Sequence, residues 1–162
     1  VPMVNTVKEA EEAINSVKYP PIGKRGVGLA RAQDYGFGFE NYRDNIANNI
    51  KLIVQIEHYI GIDNLEEIIK LDGIDGTFIG PYDLSGSLGK PGDYDSENVK
   101  HYLSLYEEIA LKHTKYIGYH VVPPDTKLLQ DKIDKGYNFL AFSFDAMFLG
   151  TIIREKLKEI NR

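Results

Sequence analysis

Short apolar segments alternate along this chain with stretches that have the periodicity of amphipathic helices, and this alternation constrains the fold most strongly. The apolar segments are rich in β-branched and aromatic residues and run with little two-residue alternation, which is typical of strands covered on both faces. Repeated strand–helix alternation predicts a parallel sheet with right-handed crossovers. The predicted strands are residues 1–4, 52–56, 77–79, 116–122 and 139–144.

Helix-boundary signals lie between these strands. Thr6 and Glu9 form a capping box ahead of an apolar stripe, and another helix is predicted to begin near Ser96. A further helix is predicted within residues 124–136, where proline and aspartate precede the helical pattern and lysine and glycine follow it. The last predicted helix covers residues 146–159.

Two parallel architectures fit this pattern: an open doubly wound sheet, or part of a closed βα barrel. A complete barrel typically has about 250 residues and eight strands, more than the 162 residues present here. No Gly-x-Gly-x-x-Gly fingerprint follows the first predicted strand, which argues against a nucleotide-binding sheet. Residues 19–49 are rich in proline and glycine, so we expect them to be mostly irregular. Since no repeat or linker is evident, residues 1–162 are predicted to form a single domain.

Composition excludes several functional classes. The chain has no cysteine, which excludes a disulfide framework, a cysteine-ligated zinc site and a cysteine nucleophile, and which fits a reducing cytoplasm. The 24 acidic and 19 basic residues give a formal charge of −5, which argues against nucleic acid as the main partner. No apolar run approaches the roughly 20 residues of a membrane helix, so we expect no membrane partner.

A glutamate after the second predicted strand is the first candidate functional residue. Gln55 and Glu57 are two residues apart, so in a strand they project to the same side. A carboxylate at the carboxyl end of a buried strand is costly unless it is paired, protonated or bound to a cation, and functional sites of parallel βα folds form at that end. The alternative is that Glu57 is solvated and caps the next helix or pairs with a lysine.

A second carboxylate follows the third predicted strand, in the segment GPYDLSG at residues 80–86. Gly80 permits a sharp turn or the close approach of a ligand, and Asp83 lies just beyond the strand. Alone, Asp83 is more typical of a helix N-cap or a turn. Because adjacent strands lie about 4.8 Å apart, Glu57 and Asp83 could instead bind one divalent cation. Two carboxylates with water and substrate oxygens are typical ligands of Mg²⁺ or Mn²⁺, which would polarise a carbonyl group and stabilise an enolate.

At these residues the chain resembles the HpcH/HpaI aldolases, class II pyruvate aldolases of the phosphoenolpyruvate/pyruvate barrel superfamily. The resemblance extends over essentially the whole chain and includes the segments VPMV, YPPIGKRG, VQIE and GIDGTFIGPYDLS. It implies an α/β fold in which this chain forms an incomplete TIM-type parallel βα barrel, with about five units that correspond to strands 4 to 8. It also implies a metal-dependent lyase that cleaves or forms 4-hydroxy-2-oxoacids through a metal-bound pyruvate enolate, with Mg²⁺, Mn²⁺ or Co²⁺ as the metal.

The same resemblance implies roles for particular residues. Glu57 and Asp83 match the metal ligands of the family, and Gln55 matches a glutamine close to the bound pyruvate. The backbone at Gly80 and Tyr82 matches the part that lies against the oxoacid carboxylate, although many relatives have a small residue at the position of Tyr82. The implied partners are a small 2-oxoacid and an aldehyde, in a cytoplasmic homo-oligomer (a trimer or hexamer) whose last helix packs onto a neighbour.

The family pattern differs from this chain at the start. Family members have three more βα units before the segment that matches residues 1–4, and these units carry a general-base histidine, its aspartate partner and an arginine that steadies the oxoacid. No residue of this chain matches them, so we expect the catalytic residues upstream of Val1 and little or no aldolase activity from the 162 residues alone. An assay of pyruvate release from a 4-hydroxy-2-oxoacid tests this expectation, and turnover at the level of the family would contradict it.

The four histidines are interpreted as structural or surface residues, with His120 as the best exception because a polar group on a strand can face the interior of a barrel. Two alternative functions remain open. The chain could be a non-catalytic barrel fragment used in assembly or ligand binding, with Glu57 and Asp83 merely solvated. It could also belong to a related synthase that condenses an enolate with another carbonyl compound.

Overall fold

Four parallel strands form one sheet in the computed structural model, which describes residues 1–160. Their order across the sheet follows their order in the chain, and each neighbouring pair is parallel. The last four predicted strands are therefore confirmed, with ends that differ from the prediction by at most two residues. The strands are β1 (Ile53–Ile56), β2 (Gly76–Ile79), β3 (Tyr116–Val121) and β4 (Phe139–Phe142).

Helices connect the strands, as the alternation predicts. The capping box ahead of the first helix is confirmed, because the Thr6 hydroxyl accepts from the Glu9 amide and the Glu9 carboxylate accepts from the Thr6 amide. In the irregular segment, a 3₁₀ turn covers Arg31–Gly36, and a π turn and a further 3₁₀ turn cover Tyr42–Ile46 and Ala47–Asn49. The α-helices are α1 (Val7–Val17), α2 (Phe39–Asn41), α3 (Tyr59–Asp63), α4 (Leu65–Ile69), α5 (Pro81–Ser87), α6 (Glu97–His113), α7 (Thr126–Asp134) and α8 (Asp145–Lys158). Among residues 1–160, no helix is both long and apolar enough to cross a bilayer.

Residues 1–4 run beside β1 without forming a regular strand, which corrects the prediction of five strands. The Gln55 amide donates to the Val1 carbonyl at 2.7 Å, but the Gln55 carbonyl accepts from the Val4 amide, at 3.1 Å. A regular parallel ladder would use the Met3 amide there, so Met3 is the extra residue of a bulge. Its φ of 55° lies in the left-handed region that a non-glycine residue rarely adopts.

The core lies between one face of the sheet and the helices α1, α4 and α6. Val54 and Ile56 of β1 are fully buried in the same apolar cluster as Leu65 of α4. Tyr106 of α6 is also fully buried, and its hydroxyl lies 2.9 Å from the Thr77 hydroxyl of β2. This hydrogen bond satisfies both hydroxyl groups inside the core, where an unpaired one would be costly.

The opposite face of the sheet is only partly covered by residues 1–160. Phe78 and Phe139 lie on this face with their ring centroids 5.9 Å apart in an edge-to-face arrangement, and Phe139 remains 45% exposed. The Phe78 ring lies over Gly118, where a Cβ atom would come within 2.2 Å of Phe78 Cδ2. The helix α8 has no buried residue, and Leu149 and Leu157 are exposed on it. Residues 1–160 therefore leave two apolar surfaces open, the second sheet face and α8.

Lys132 of α7 is a buried lysine. It is 9% exposed, and its ammonium lies 4.4 Å from the centroid of the Tyr119 ring and 3.8 Å from Glu107 Oε1. Burial, and to a smaller extent the charge of Lys135, lower the pKa of Lys132, while Glu107 opposes this shift. The folded chain therefore holds this proton less firmly than the unfolded chain does.

This pKa shift predicts a pH-dependent contribution of Lys132 to stability. A lysine whose pKa is lower in the folded state makes the free energy of unfolding rise as the pH moves from the folded pKa towards the ordinary value of about 10.4. As the pH rises towards about 10.4, we therefore expect the free energy of unfolding of the wild type to rise relative to that of Lys132→Met, measured by urea denaturation. Lys127→Met, on the exposed side of α7, is the matched control and should show a constant difference from the wild type. A constant difference for Lys132→Met as well would contradict the prediction.

Candidate functional site

Glu57 lies directly after β1, and the fold holds its carboxylate in place. The side chain is 8% exposed. Gln55 Nε2 donates to Oε1 at 2.9 Å, and the backbone amide of Met3 donates to Oε2 at 3.0 Å. The ion pairs within residues 1–160 all involve other carboxylates, so Glu57 has no basic partner there. The next helix is capped by His58, whose Nδ1 accepts from the Ile60 amide, so Glu57 neither pairs with a lysine nor caps the helix.

The bulge at Met3 explains one of these two hydrogen bonds. Because Met3 is the extra residue, its amide does not join the ladder with β1 and is free to donate to Glu57. The sequence does not predict this contact, because the donor is a backbone amide and the residue type of Met3 does not distinguish it from other amides. Only the hydrogen bonds between residues 1–4 and β1, two segments remote in the chain, reveal that this amide is left over.

Gly80 directly follows the neighbouring strand β2 and lies against Glu57. The Gly80 amide donates to the Ile56 carbonyl at 3.0 Å, which continues the ladder one step beyond β2 and brings Gly80 level with Glu57. A Cβ atom at residue 80 would lie 2.7 Å from Glu57 Cγ and 3.0 Å from Oε1. The absence of a side chain at Gly80 therefore allows the carboxylate to occupy this position.

Asp83 occupies the first turn of α5, with Gly80 as the N-cap residue. The alternative of an N-cap or a turn, considered for Asp83 alone, is therefore not met at the N-cap; Asp83 is the third residue of the helix, where a negative charge interacts favourably with the helix dipole. Its carboxylate is exposed and accepts no hydrogen bond or ion pair within residues 1–160. The loop before α6 passes close to this turn, since the Gly92 amide donates to the Ser85 hydroxyl at 2.8 Å. Burial, and then the nearby Tyr82 and Asp83, raise the pKa of Tyr94 in this loop.

The fold brings the predicted site residues to one edge of the sheet. Gln55 and Glu57 are joined by a hydrogen bond, Gly80 contacts Glu57, and Asp83 follows on the next element. Tyr82 is 61% exposed at the same helix start. No group of three or more histidine, cysteine or acidic side chains that could hold a metal ion occurs within the described residues.

Residues 1–150 match the family described as HpcH/HpaI aldolase/citrate lyase. The chain belongs to this family. The 2-keto-3-deoxy-L-rhamnonate aldolase of Escherichia coli (strain K12) is 36% identical over 159 residues, which cover 97% of this chain and 58% of that enzyme. The chain thus spans less than two thirds of the length of the curated relatives that it matches.

Solved structures of the HpcH/HpaI family have the same fold. A family protein from Burkholderia cenocepacia J2315 superposes with a TM-score of 0.88 at 28% identity, over 98% of this chain and 62% of that one. An HpcH/HpaI aldolase from Desulfitobacterium hafniense DCB-2 superposes with a TM-score of 0.83 at 24% identity, over 98% of this chain and 61% of that one, and shows the fold alone. The four parallel strands are therefore part of the α/β architecture of this family.

A cavity of about 290 Å³ lies at the amino edge of the sheet in this HpcH/HpaI family member, remote from Glu57. Asp75 lies on its wall and pairs with Lys51 at 3.3 Å and with Lys18 at 3.9 Å. Asp75 also accepts the Leu52 amide at 2.9 Å, just before β1. Since these charges fix the start of β1, we interpret this cavity as part of the scaffold, and the candidate site is the one at the carboxyl edge.

Proposed function

We propose that this chain is the metal-binding part of a divalent-metal-dependent aldolase that cleaves or forms 4-hydroxy-2-oxoacids. The observation that supports the proposal is the buried Glu57 carboxylate, which lies at the carboxyl edge of the sheet with no basic partner within residues 1–160. An ionised carboxylate buried in this way is costly unless a cation offsets its charge. The similarity to an enzyme named as an aldolase of a 2-keto acid supports the carbon–carbon lyase class.

The donor atoms fit a hard divalent cation. Each oxygen of Glu57 accepts one hydrogen bond, which leaves a lone pair on both, and the carboxylate of Asp83 accepts none within residues 1–160. Glu57 and Asp83 would hold the ion, and two carboxylates are the set of protein ligands that Mg²⁺ or Mn²⁺ typically uses alongside substrate oxygens. When bound, the cation supplies polarisation of the oxoacid carbonyl.

The other residues of the site would orient the Glu57 carboxylate and bind the oxoacid. Gln55 donates to Glu57 and so fixes the direction of that carboxylate, as outer hydrogen bonds do at metal sites generally. At the start of α5 the amides of Tyr82 and Asp83 have no acceptor within the helix, so they are available to the carboxylate of the oxoacid. Gly80 keeps the backbone open beside Glu57. These residues would therefore hold the oxoacid end of the substrate.

The groups that transfer protons in the family have no counterpart among the residues of this chain. We expect the general-base histidine, its aspartate partner and the arginine from residues outside this sequence, as the family resemblance implies. The aldehyde partner, the homo-oligomeric assembly and the cytoplasmic location also stay predictions.

Metal titration tests the proposal. We expect Mn²⁺ to bind to the wild type, and binding to weaken by at least about 100-fold in Glu57→Gln and in Asp83→Asn, because loss of an outer partner alone already costs 10- to 100-fold. The matched control is Glu67→Gln, an exposed carboxyl group on α4, which should bind Mn²⁺ as the wild type does. Isothermal titration calorimetry measures all four proteins. Absence of binding, or equal binding by all of them, would instead support a non-catalytic barrel fragment.

A further inference from the structure

Side chains hold the bulge at Met3 on both of its backbone polar groups. The Met3 amide donates to Glu57 Oε2 at 3.0 Å, and the Met3 carbonyl oxygen accepts from Asn5 Nδ2 at 3.2 Å. Neither group joins the ladder with β1, whose hydrogen bonds to this segment use Val1 and Val4. A continuous chain of hydrogen bonds therefore runs from Asn5 through Met3 to the buried carboxylate of the candidate site.

The backbone conformation of Met3 requires this support. Its φ of 55° lies in the left-handed region, which costs free energy for a residue with a Cβ atom. Residues in such conformations persist where the surrounding structure fixes them, and they cluster at functional sites. The contact from Asn5 spans two residues and closes the turn at Met3. Without this contact, the Met3 peptide would be free to rotate, and its amide would lose its direction towards Glu57.

The main chain of Asn5 is fixed independently of its side chain. Its amide donates to Glu9 Oε2 at 2.8 Å, and its carbonyl oxygen accepts from Asn64 Nδ2 at 2.9 Å. Because the Met3 carbonyl only accepts, the side-chain nitrogen of Asn5 faces it, and Asn5 Oδ1 is buried without a hydrogen-bond partner within residues 1–160. An orphaned buried acceptor lowers stability. The contact with Met3, and not a contribution to overall stability, therefore accounts for this side chain.

We propose that Asn5 is a positioning residue of the metal site, which acts on Glu57 through the amide of Met3. The inference rests on the proposed function, since it takes Glu57 as a ligand of the cation. Outer hydrogen bonds fix the direction of a metal-binding carboxylate, and Gln55 and Met3 each hold one oxygen of Glu57. Asn5 fixes the donor on one of these oxygens, so its side chain determines how firmly that oxygen is directed.

Removal of the Asn5 side chain tests the inference in the full-length gene product. In Asn5→Ala without metal, we expect the Met3 amide to exchange with deuterium about tenfold faster, measured by mass spectrometry, because its local opening becomes easier. Mn²⁺ affinity, measured by isothermal titration calorimetry, should fall by about tenfold, the lower end of the loss that removal of an outer partner causes. The free energy of unfolding, measured by urea denaturation, should change little, because the truncation also removes the orphaned oxygen.

A second substitution separates positioning of Met3 from other effects of the truncation. Glycine adopts a φ of 55° without strain and keeps the amide, so in the Met3→Gly background Asn5→Ala should lower Mn²⁺ affinity by less than about threefold. Asn49→Ala is the matched control. The Nδ2 atom of Asn49 also donates to a backbone carbonyl, that of Asn45, on an exposed turn before β1 and thus at the opposite edge of the sheet from Glu57. This control should bind Mn²⁺ as the wild type does.

The outcomes distinguish this inference from the function on which it rests. Unchanged exchange at Met3 or unchanged Mn²⁺ affinity in folded Asn5→Ala would overturn the role of Asn5 and leave the metal site standing. A loss of affinity that Met3→Gly does not reduce would do the same. A wild type that binds no Mn²⁺ would overturn both.

Discussion

Replacing Gly80 with alanine is expected to lower the kcat/KM of oxoacid cleavage by about 100-fold or more. The added methyl group would come within 2.7 Å of Glu57 Cγ and 3.0 Å of Oε1, so the carboxylate must move. Displacement of a positioning group by about 1 Å can cost 100-fold in rate, and Glu57 is the buried ligand of the proposed site. Steady-state kinetics on the full-length gene product measures the loss of kcat/KM, and Mn²⁺ titration measures the accompanying loss of metal affinity.

The backbone at Gly80 makes this variant a selective probe. Its φ of −106° is accessible to alanine, so the expected effect arises from contact with Glu57 and not from backbone strain. Gly86→Ala, in the same helix, is the matched control, because a Cβ atom there meets nothing within 4 Å. We expect this control to keep the kinetics of the wild type. Wild-type turnover by Gly80→Ala would show that the position of Glu57 does not limit the reaction.

Local patterns in the sequence were sufficient to predict most of the fold. The sequence predicts the strands β1 to β4 from runs of β-branched and aromatic residues with little two-residue alternation, and the capping box of α1 needs only Thr6 and Glu9. These features depend on residues a few positions apart, so they can be read without knowledge of the tertiary structure. Local patterns leave the wider architecture open between an open sheet and a barrel; the four-stranded parallel sheet and the similarity to solved structures of the family confirm the α/β class, and the barrel stays a prediction.

The features that sequence analysis missed depend on contacts between remote segments. Residues 1–4 have strand composition, yet the bulge at Met3 is visible only from the pairing with β1. The left-handed Ser143 at the end of the last strand is likewise not marked by its residue type. Both interruptions lie at the carboxyl edge of the sheet, where the amide of one and the carbonyl of the other contact Glu57 and His120.

For the candidate site, the sequence predicts which residues lie near one another but not the contacts between them, and the roles of these residues stay predictions. The two-residue spacing correctly placed Gln55 and Glu57 on one side, and their hydrogen bond confirms that proximity. The sequence predicts that Gly80 permits a sharp turn or the close approach of a ligand, whereas the structure shows that the atoms a Cβ atom would meet there belong to the Glu57 side chain. A glycine indicates that something comes close, but the sequence alone does not identify what that is.

Truncation of Leu65 to alanine is expected to lower the free energy of unfolding by about 3 kcal/mol. Leu65 of α4 is fully buried in the apolar cluster that also contains Val54 and Ile56 of β1. Removing a buried leucine side chain loses its transfer free energy and leaves a cavity, and such substitutions cost about 2–5 kcal/mol. Urea denaturation followed by circular dichroism measures the change.

Leu111→Ala is the matched control, because this leucine of α6 is 48% exposed and loses less apolar burial on truncation. We expect it to cost less than about 1 kcal/mol, in line with partial burial of the same side chain. Equal costs for the two variants would contradict the assignment of the core to this face of the sheet. The comparison also bears on the site, because the packing of α4 against β1 supports the strand whose last residue precedes Glu57. A several-fold larger loss at Leu65 would confirm that the apolar layer between α4 and β1 carries the packing that stabilises this strand.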